Sequence, residues 1–451
     1  MANLQWGGRF AGAPDPLLLA FGSSLADDLV LAPFDVRTSQ AHVDALAGGG
    51  IIDAQRAAAL HRALERVESE IDNGEFAAYA TGSRAEDVHG AIDHRVRELE
   101  PVHGAFLHAG RSRNDQVATT LALYARARAQ AGAARSTAIA GALLDRARVE
   151  LTEGTLLAAT THWQPAQPVL LAFWLVAAAE PFARAATRFA AAAASASDAC
   201  PLGSAALAGS SLPLDCVAAS KRLGFARPPR NAMDAVGTRD AALDVAHAYV
   251  RACLDASRIA GELVIWATPA FGYVKLGDAS STGSSLMPQK RNPDVFELMR
   301  GVASAEIGSY AGALSSLAGM ALSYHRDLQE NKRQVIEIVE RGSAALQAFE
   351  RALADTQFVR EACNARAGDG FGVATDVADG LIAQGASARD AHAQVGALVR
   401  QAEDEGRTLA MTPRQSVEGK VTPGSTSPAA VAEALASLSA LLRQAQDGTA
   451  R

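Results

Sequence analysis

Between Thr282 and Asp294 the sequence reads "TGSSLMPQKRNPD". A glycine and two serines give the backbone freedom there. Two adjacent cations follow, Lys290 and Arg291, and Asn292-Pro293 read as the N-cap and first residue of a helix. Cations beside a helix N-terminus form a site for a carboxylate or a phosphate. A Ser-rich hinge with solvated cations has the same look, and this stretch by itself does not separate the two. "GRSRNDQ" (110–116) repeats the theme. Gly110 permits a turn, Ser112 or Asn114 can cap, and Arg111 and Arg113 flank the caps. A planar guanidinium takes a carboxylate bidentately, though two exposed arginines at a helix start are a common structural feature. "TTHWQPAQP" (160–168) sets His162 among neutral hydrogen-bonding groups. A lone histidine is commonly structural, but an imidazole in a polar loop can exchange a proton near neutral pH. "SYHRDLQENK" (323–332) puts Tyr324, Gln329 and Lys332 at a helix start, which alone is a polar helical turn.

Long helices must position these stretches. Asp53 can cap a helix whose Leu60, Leu64, Val67 and Ile71 share one face. "RSTAIAGALLDRARVEL" and "RDAALDVAHAYVRACLDASRIAGELVIWA" are longer patterns of the same kind. The second carries too few charges (Asp244, Arg251, Asp255, Arg258, Glu262) to solvate its circumference, so it belongs inside a bundle or an oligomer. The stretches from Asp294 to about Ala321 and from Asp327 to Ala354 complete the set. Alternating strand patterns are hardly visible. The spacing predicts an all-α protein: a long central helical bundle flanked by smaller helical N- and C-terminal domains. Boundaries at "LHAGRSRND" and "ARAGDGFG" give an N-terminal domain 1–110, a central bundle 111–364 with the Ser-rich loop, and a C-terminal domain 365–451. From Thr155 to Ala179 there is no charge, but His162, Gln164, Gln167 and two prolines interrupt it, which suggests a loop and then a buried helix rather than a membrane span.

Composition limits the partners. The chain has 451 residues, 49% apolar and 20% charged, with a formal charge of -7. That gives no reason to expect nucleic acid or an anionic membrane surface, so any anion site is a local arrangement of cations. Four cysteines without C-x-x-C spacing, and no apolar leader in "MANLQWGGRF", suit a reducing cytoplasm. "GDGFG" (368–372) follows no strand pattern and lacks G-x-G-x-x-G spacing, and Walker A and H-E-x-x-H motifs are absent. The histidine pairs His89/His94 and His103/His108 are five apart, which does not align them on one helical face for a metal.

Taken together the segments resemble the fumarase/aspartase superfamily, and within it the argininosuccinate lyases. The superfamily's G-S-S-x-M-P-x-K-x-N-P loop is matched at 283–293, and Gln289 and Asp294 favour the argininosuccinate lyases. Further matches are "WGGRF" (6–10), "EDVH" (86–89), "GRSRNDQVAT" (110–119), "THWQPAQPV" (161–169), "PLGSAALAG" (201–209), "DLQENK" (327–332) and the late "TSP". They run in family order over nearly the whole chain.

The resemblance implies elimination of fumarate from argininosuccinate, leaving arginine, without a metal or other cofactor, in a cytoplasmic homotetramer whose active sites draw on several subunits. By matching, Ser284 in a loop that closes over substrate is the base and His162 serves the acid side, an assignment that sequence leaves reversible. Lys290 and Asn292 stabilise the aci-carboxylate, and Glu297 orients the histidine. Ser24, Arg113, Asn114, Thr161, Tyr324, Gln329 and Lys332 hold substrate. A related succinyl-compound lyase with another amine leaving group, and a crystallin-like structural paralogue, are the alternatives; joint retention of Ser284, Lys290, Asn292 and His162 disfavours the second. The chain departs from the family at Ala109 (usually Thr), Thr120 (Asp), Ala158-Ala159-Thr160 (Pro-Gly-Tyr), His325 (Asn) and Asn331 (Asp).

Overall fold

The computed structural model describes residues 15–449; the motif at 6–10 lies outside them. The fold is all-α with long central helices, as the spacing predicts. Five long helices make up the middle of the chain, Arg113–Glu153, Leu171–Ser195, Asp240–Trp266, Asp294–Ser315 and Leu328–Asp355, with other helices before and after them. The chain forms two compact units. One takes the described part of Met1–Ala131 with Phe189–Val250 and Ala305–Arg341. The other takes Gly132–Arg188, Arg251–Ser304 and Gly342–Arg451. Each of the five long helices therefore gives one part of its length to each unit.

Local chemistry explains where helices start. Asp53 accepts from Arg56 N at 2.8 Å and opens the helix Ala54–Asp72, in which Leu60, Leu64 and Val67 are buried. At the start of Arg113–Glu153 the cap is reciprocal. Ser112 Oγ accepts from Asn114 N at 3.3 Å, and the Asp115 carboxylate accepts from Ser112 N at 3.0 Å.

In the first unit the core gathers Ala41, Ala45, Leu123, Leu202, Leu223 and Phe225. Tyr124 is fully buried, and its hydroxyl donates to Glu340 at 2.8 Å. In the second, Phe349 packs against Phe182 and Phe296 at 5.8 and 5.9 Å, and Trp174 stacks on Trp266 at 4.6 Å. The helix Asp240–Trp266 is buried around most of its circumference, as its few charges require. The helix Asp294–Ser315 is different: Leu298, Ile307 and Leu314 are 67%, 47% and 46% exposed.

Two features depart from the sequence expectation. The polar stretch before Leu171 is a β-hairpin, β1 (Leu156–Thr161) with β2 (Gln164–Leu170), and β3 (Val274–Leu276) pairs with β4 (Thr356–Phe358). Prolines 165 and 168 hid β2. A two-stranded sheet leaves each strand an open edge where proline removes no ladder bond, and the register shift next to Pro165 absorbs the misfit. The second departure is Pro16–Gly48, long and apolar enough by composition to cross a membrane. The helical run is broken at Ser23 and Ser24 and it buries Asp28 and Asp35, which suits a folded core instead.

Candidate active site

In the first unit, the short break before Leu25 and the starts of two long helices bring Ser24, Arg113, Tyr324, Gln329 and Lys332 around one narrow cavity, with Asp87, Arg239 and Arg326. It measures about 20 Å³, the room of a single water. The cations in its wall are held by acids beneath. Lys332 Nζ, 6% exposed, lies 2.6 Å from the fully buried Asp28, whose other oxygen accepts from Ser24 Oγ at 2.6 Å. Arg113 Nε meets Asp87 at 3.1 Å. Burial pushes the Asp87 carboxyl up, but the charges of Arg113 and His89 more than reverse this and leave it below the usual value. Arg326 and Gln329 close the rim, both donating to the Gly22 carbonyl, at 2.6 and 3.2 Å.

A second layer orients Arg113. Its Nη1 donates to Gln116 Oε1 at 2.7 Å, and the Gln116 amide donates onward to Asp35 at 2.9 Å. Asp35 also pairs with His89 Nδ1 at 2.8 Å and accepts from Thr120 Oγ1 at 3.2 Å. Burial raises the Asp35 carboxyl; His89, Arg111 and Gln116 together outweigh that and hold it far below the ordinary range. Thr120 is thus satisfied in this network, and an aspartate in its place would set a second carboxylate beside Asp35. Asn114 points elsewhere: its amide donates to the Ala206 carbonyl at 2.9 Å, and it does not line the cavity.

The remaining predicted residues belong to the second unit. Lys290, Asn292 and Glu297 line a wide cavity of about 1150 Å³ with Gln289 and Arg291. The loop that carries them is lightly fastened. Thr282 and Asn292 exchange backbone hydrogen bonds at 3.2 and 2.9 Å, closing its neck. Inside the loop, Ser284 Oγ accepts from Leu286 N and Met287 N at 3.2 and 3.0 Å, and Leu286 is 84% exposed. Such a segment has few contacts to lose on moving. The Asn292 cap is corrected by one residue. The helix begins at Asp294, the Pro293 carbonyl accepts from Phe296 N and Glu297 N, and the Asn292 amide turns back to Thr282 Oγ1 at 3.3 Å. Pro293 takes the cap because its missing N–H costs nothing there, which frees the Asn292 side chain for the loop. Below the loop, Gly277 N donates to the Asp355 carbonyl at 3.1 Å, and a Cβ on Gly277 would lie 2.0 Å from Asp355 Oδ1.

Thr161 and His162 sit at the tip of the β1–β2 hairpin. His162 and Trp163 form its two-residue turn, with φ of 54° and 60°. Turns of this shape favour Asn-Gly. Two bulky residues held left-handed are a strained arrangement of the kind found at functional sites. His162 is exposed, and no hydrogen bond within the chain joins it to Ser284 or Glu297; Glu297 lies 3.9 Å from Arg300 instead. Sequence reasoning missed Asp28, Gln116, Asp35 and Arg239. Asp28 and Asp35 meet Lys332 and Gln116 from far away along the chain, Arg239 is set apart by its burial, and only "EDVH" and "GRSRNDQ" hinted at the acid and amide that hold Arg113. Of the departures, Asn331 is buried and donates to the Ala313 carbonyl at 2.8 Å, His325 rests on the Leu322 carbonyl at 3.3 Å, and the Ala109 carbonyl meets His42 at 2.8 Å.

A helical fold carrying a cation-lined cavity and a Ser-Lys-Asn loop at a helix start defines a lyase of the fumarase/aspartase type, and comparison with known proteins agrees. A family model described as Lyase matches residues 8–308, and one described as Argininosuccinate lyase C-terminal matches 371–439. The argininosuccinate lyase of Clavibacter sepedonicus is 42% identical over 407 residues, 90% of this chain and 81% of that protein. That of Leifsonia xyli subsp. xyli is 39% identical over 97% of this chain and 96% of its own. In structure, an EDDS lyase variant with bound fumarate superposes with a TM-score of 0.80 at 22% identity, covering 98% of this chain and 92% of that one. The 3-carboxy-cis,cis-muconate lactonizing enzyme from Pseudomonas putida gives 0.71 at 18%, over 96% and 100%. These two likenesses concern the fold alone. The chain belongs to the argininosuccinate lyase family of the fumarase/aspartase superfamily.

Proposed function

We propose that this chain cleaves argininosuccinate to arginine and fumarate. The observation that carries the reading is the near-full-length relation to argininosuccinate lyases, with Ser284, His162, Lys290 and Asn292 all kept. A base removes a proton from the succinyl carbon beside a carboxylate; the C–H electrons form the double bond of fumarate as the C–N bond breaks, and the guanidino nitrogen leaves with a proton. Ser284 acts as base and His162 on the acid side, each contributing roughly 10²–10⁴-fold. Lys290, Asn292 and the N-terminus of the helix Asp294–Ser315 hold the charge that develops on the carboxylate. Ser24, Arg113, Asn114, Thr161, Tyr324, Gln329 and Lys332 hold substrate. No cofactor takes part.

The protein works as a homotetramer in the cytoplasm. Its motif regions come together from different subunits, so that His162 and Ser284 meet across a subunit interface. Leu298, Ile307 and Leu314, exposed along one helix, support an oligomer, and four cysteines without C-x-x-C spacing suit a reducing compartment. The test is direct: purified protein mixed with argininosuccinate releases fumarate, read by its ultraviolet absorbance, with equimolar arginine. If fumarate is absent while another succinyl-amine substrate is cleaved, the reaction class stands and the substrate assignment falls.

A further inference from the structure

The motif "PLGSAALAG" (201–209) has no role in the mechanism above. It lies against the start of the helix Arg113–Glu153, and one side chain joins the two. Asp115 is fully buried. Its Oδ1 accepts from Ser112 N at 3.0 Å, as part of the helix cap. Its Oδ2 accepts from Gly203 N and Ala205 N, at 3.0 and 2.9 Å, from 88 and 90 residues further along the chain. The turn then makes a contact in return: the Ala206 carbonyl accepts from the Asn114 amide at 2.9 Å.

Capping uses one oxygen. Asparagine or serine does that without a buried charge, and an ionised group in the interior is costly. A carboxylate is needed where both oxygens must accept; an asparagine at 115 would turn an NH2 group towards one set of donors. Burial pushes the Asp115 carboxyl up to about 6, against the pull of the three N–H groups and Arg111, so it is ionised at pH 8. The turn that it holds is strained. Gly203, Ala205 and Gly209 have φ of 96°, 49° and 82°. Such a conformation is disfavoured for a residue with a Cβ, so Ala205 keeps it because its surroundings fix it. A Cβ on Gly203 would lie 2.2 Å from Cys216 Sγ, so the root of the turn is closely backed, while its tip, 206–209, is exposed.

We propose that Asp115 is a positioning residue: it pins the turn 203–209 to the helix start, and the pinned turn holds the Asn114 amide in the orientation that takes substrate. The proposal rests on the lyase reading above, in which Asn114 holds substrate. Asp115 acts through Asn114 and does not itself touch the ligand.

A double-mutant cycle at pH 8 tests it. Asp115→Asn raises KM for argininosuccinate about 10-fold and lowers kcat by less. In an Asn114→Ala background the same substitution changes KM by less than about 2-fold, because the group that it positions is gone. A merely structural role would lower activity by the same factor in both backgrounds. Hydrogen exchange gives a second readout: the peptide covering 201–210 exchanges faster in Asp115→Asn than in the native protein, while the long helices are unchanged. Gly203→Ala displaces the turn from its other side with the carboxylate in place, and gives the same KM effect with the same dependence on Asn114. Equal factors in both backgrounds, or unchanged exchange over 201–210, overturn this proposal and leave the lyase reading intact. A native protein that releases no fumarate overturns the lyase reading and the role of Asp115 with it. If neither variant folds, a crystal structure of the native protein with arginine and fumarate decides: Asn114 against a ligand, with its amide still on the Ala206 carbonyl, supports the assignment, and the loss of either contact refutes it.

Discussion

At the scale of residues, the proposed groups differ in how firmly the fold holds them. Ser284 is in a lightly fastened loop where its hydroxyl accepts from two local backbone N–H groups. Ser284→Ala should therefore leave the circular dichroism spectrum and melting temperature nearly unchanged while lowering kcat by about 10²–10⁴-fold. Near-native turnover would remove Ser284 from the mechanism. Asp35 is the opposite case, fully buried and paired with His89. Asp35→Asn takes away a buried carboxylate that accepts from His89, Gln116 and Thr120 and should cost about 1–3 kcal/mol in denaturant melts at neutral pH. The sign with pH follows from the lowered carboxyl. Its stabilisation is in place above the unfolded value near 4 and is lost as pH falls towards the folded one, so Asp35→Asn should show a shallower acid limb than the native protein. An equal slope would mean that Asp35 is not the titrating group. The groups proposed to react stand out in the sequence because their types and spacing are unusual together. Asp35, Gln116 and Arg239 were not, because burial and pairing are properties of the folded chain.

At the scale of elements, the stem of the Ser-Lys-Asn loop has little tolerance. The contact of Gly277 with Asp355 leaves no room for a side chain, and the three atoms nearest the added Cβ all belong to the Asp355 side chain. Gly277→Ala should lower both the melting temperature and kcat by displacing the loop, with a cost of about 1–3 kcal/mol. A second substitution, Asp355→Ala, removes the clashing atoms and should restore most of both. If the double variant is no better than the single one, the contact is not what fixes the loop. The long helices could be read from spacing and caps, since Asp53 and Ser112 act locally. The hairpin could not. Its turn uses His162 and Trp163 where Asn and Gly are usual, and prolines interrupt the alternation that marks a strand.

At the scale of the whole molecule, composition pointed to an oligomer through helices too apolar for a single chain. For Asp240–Trp266 burial inside the chain already covers the apolar surface, whereas Asp294–Ser315 keeps three large apolar side chains in solvent. The shared-site reading predicts complementation. Inactive His162→Asn and Ser284→Ala proteins, dissociated, mixed and reassociated, should regain partial activity that neither parent shows. Verified mixed tetramers without activity would mean that His162 and Ser284 of each site come from one chain, and a light-scattering mass of one chain would exclude the tetramer. Activity should also survive exhaustive chelation, since the charges proposed to stabilise the intermediate come from side chains and a helix end. Loss with rescue by one particular divalent ion would refute that.

The strained hairpin tip also has an optical consequence. Trp163 is 52% exposed, whereas Trp266 is 6% exposed and stacked on Trp174. Its emission is therefore the long-wavelength component of these three indoles and the one that a dissolved quencher such as iodide reaches. It stands next to the histidine proposed for proton transfer, so the native chain carries a built-in fluorophore one residue from its chemistry. Covering of that tip by a neighbouring subunit or by substrate should shift the emission to shorter wavelength and shield it from iodide, and Trp163→Phe should abolish both changes.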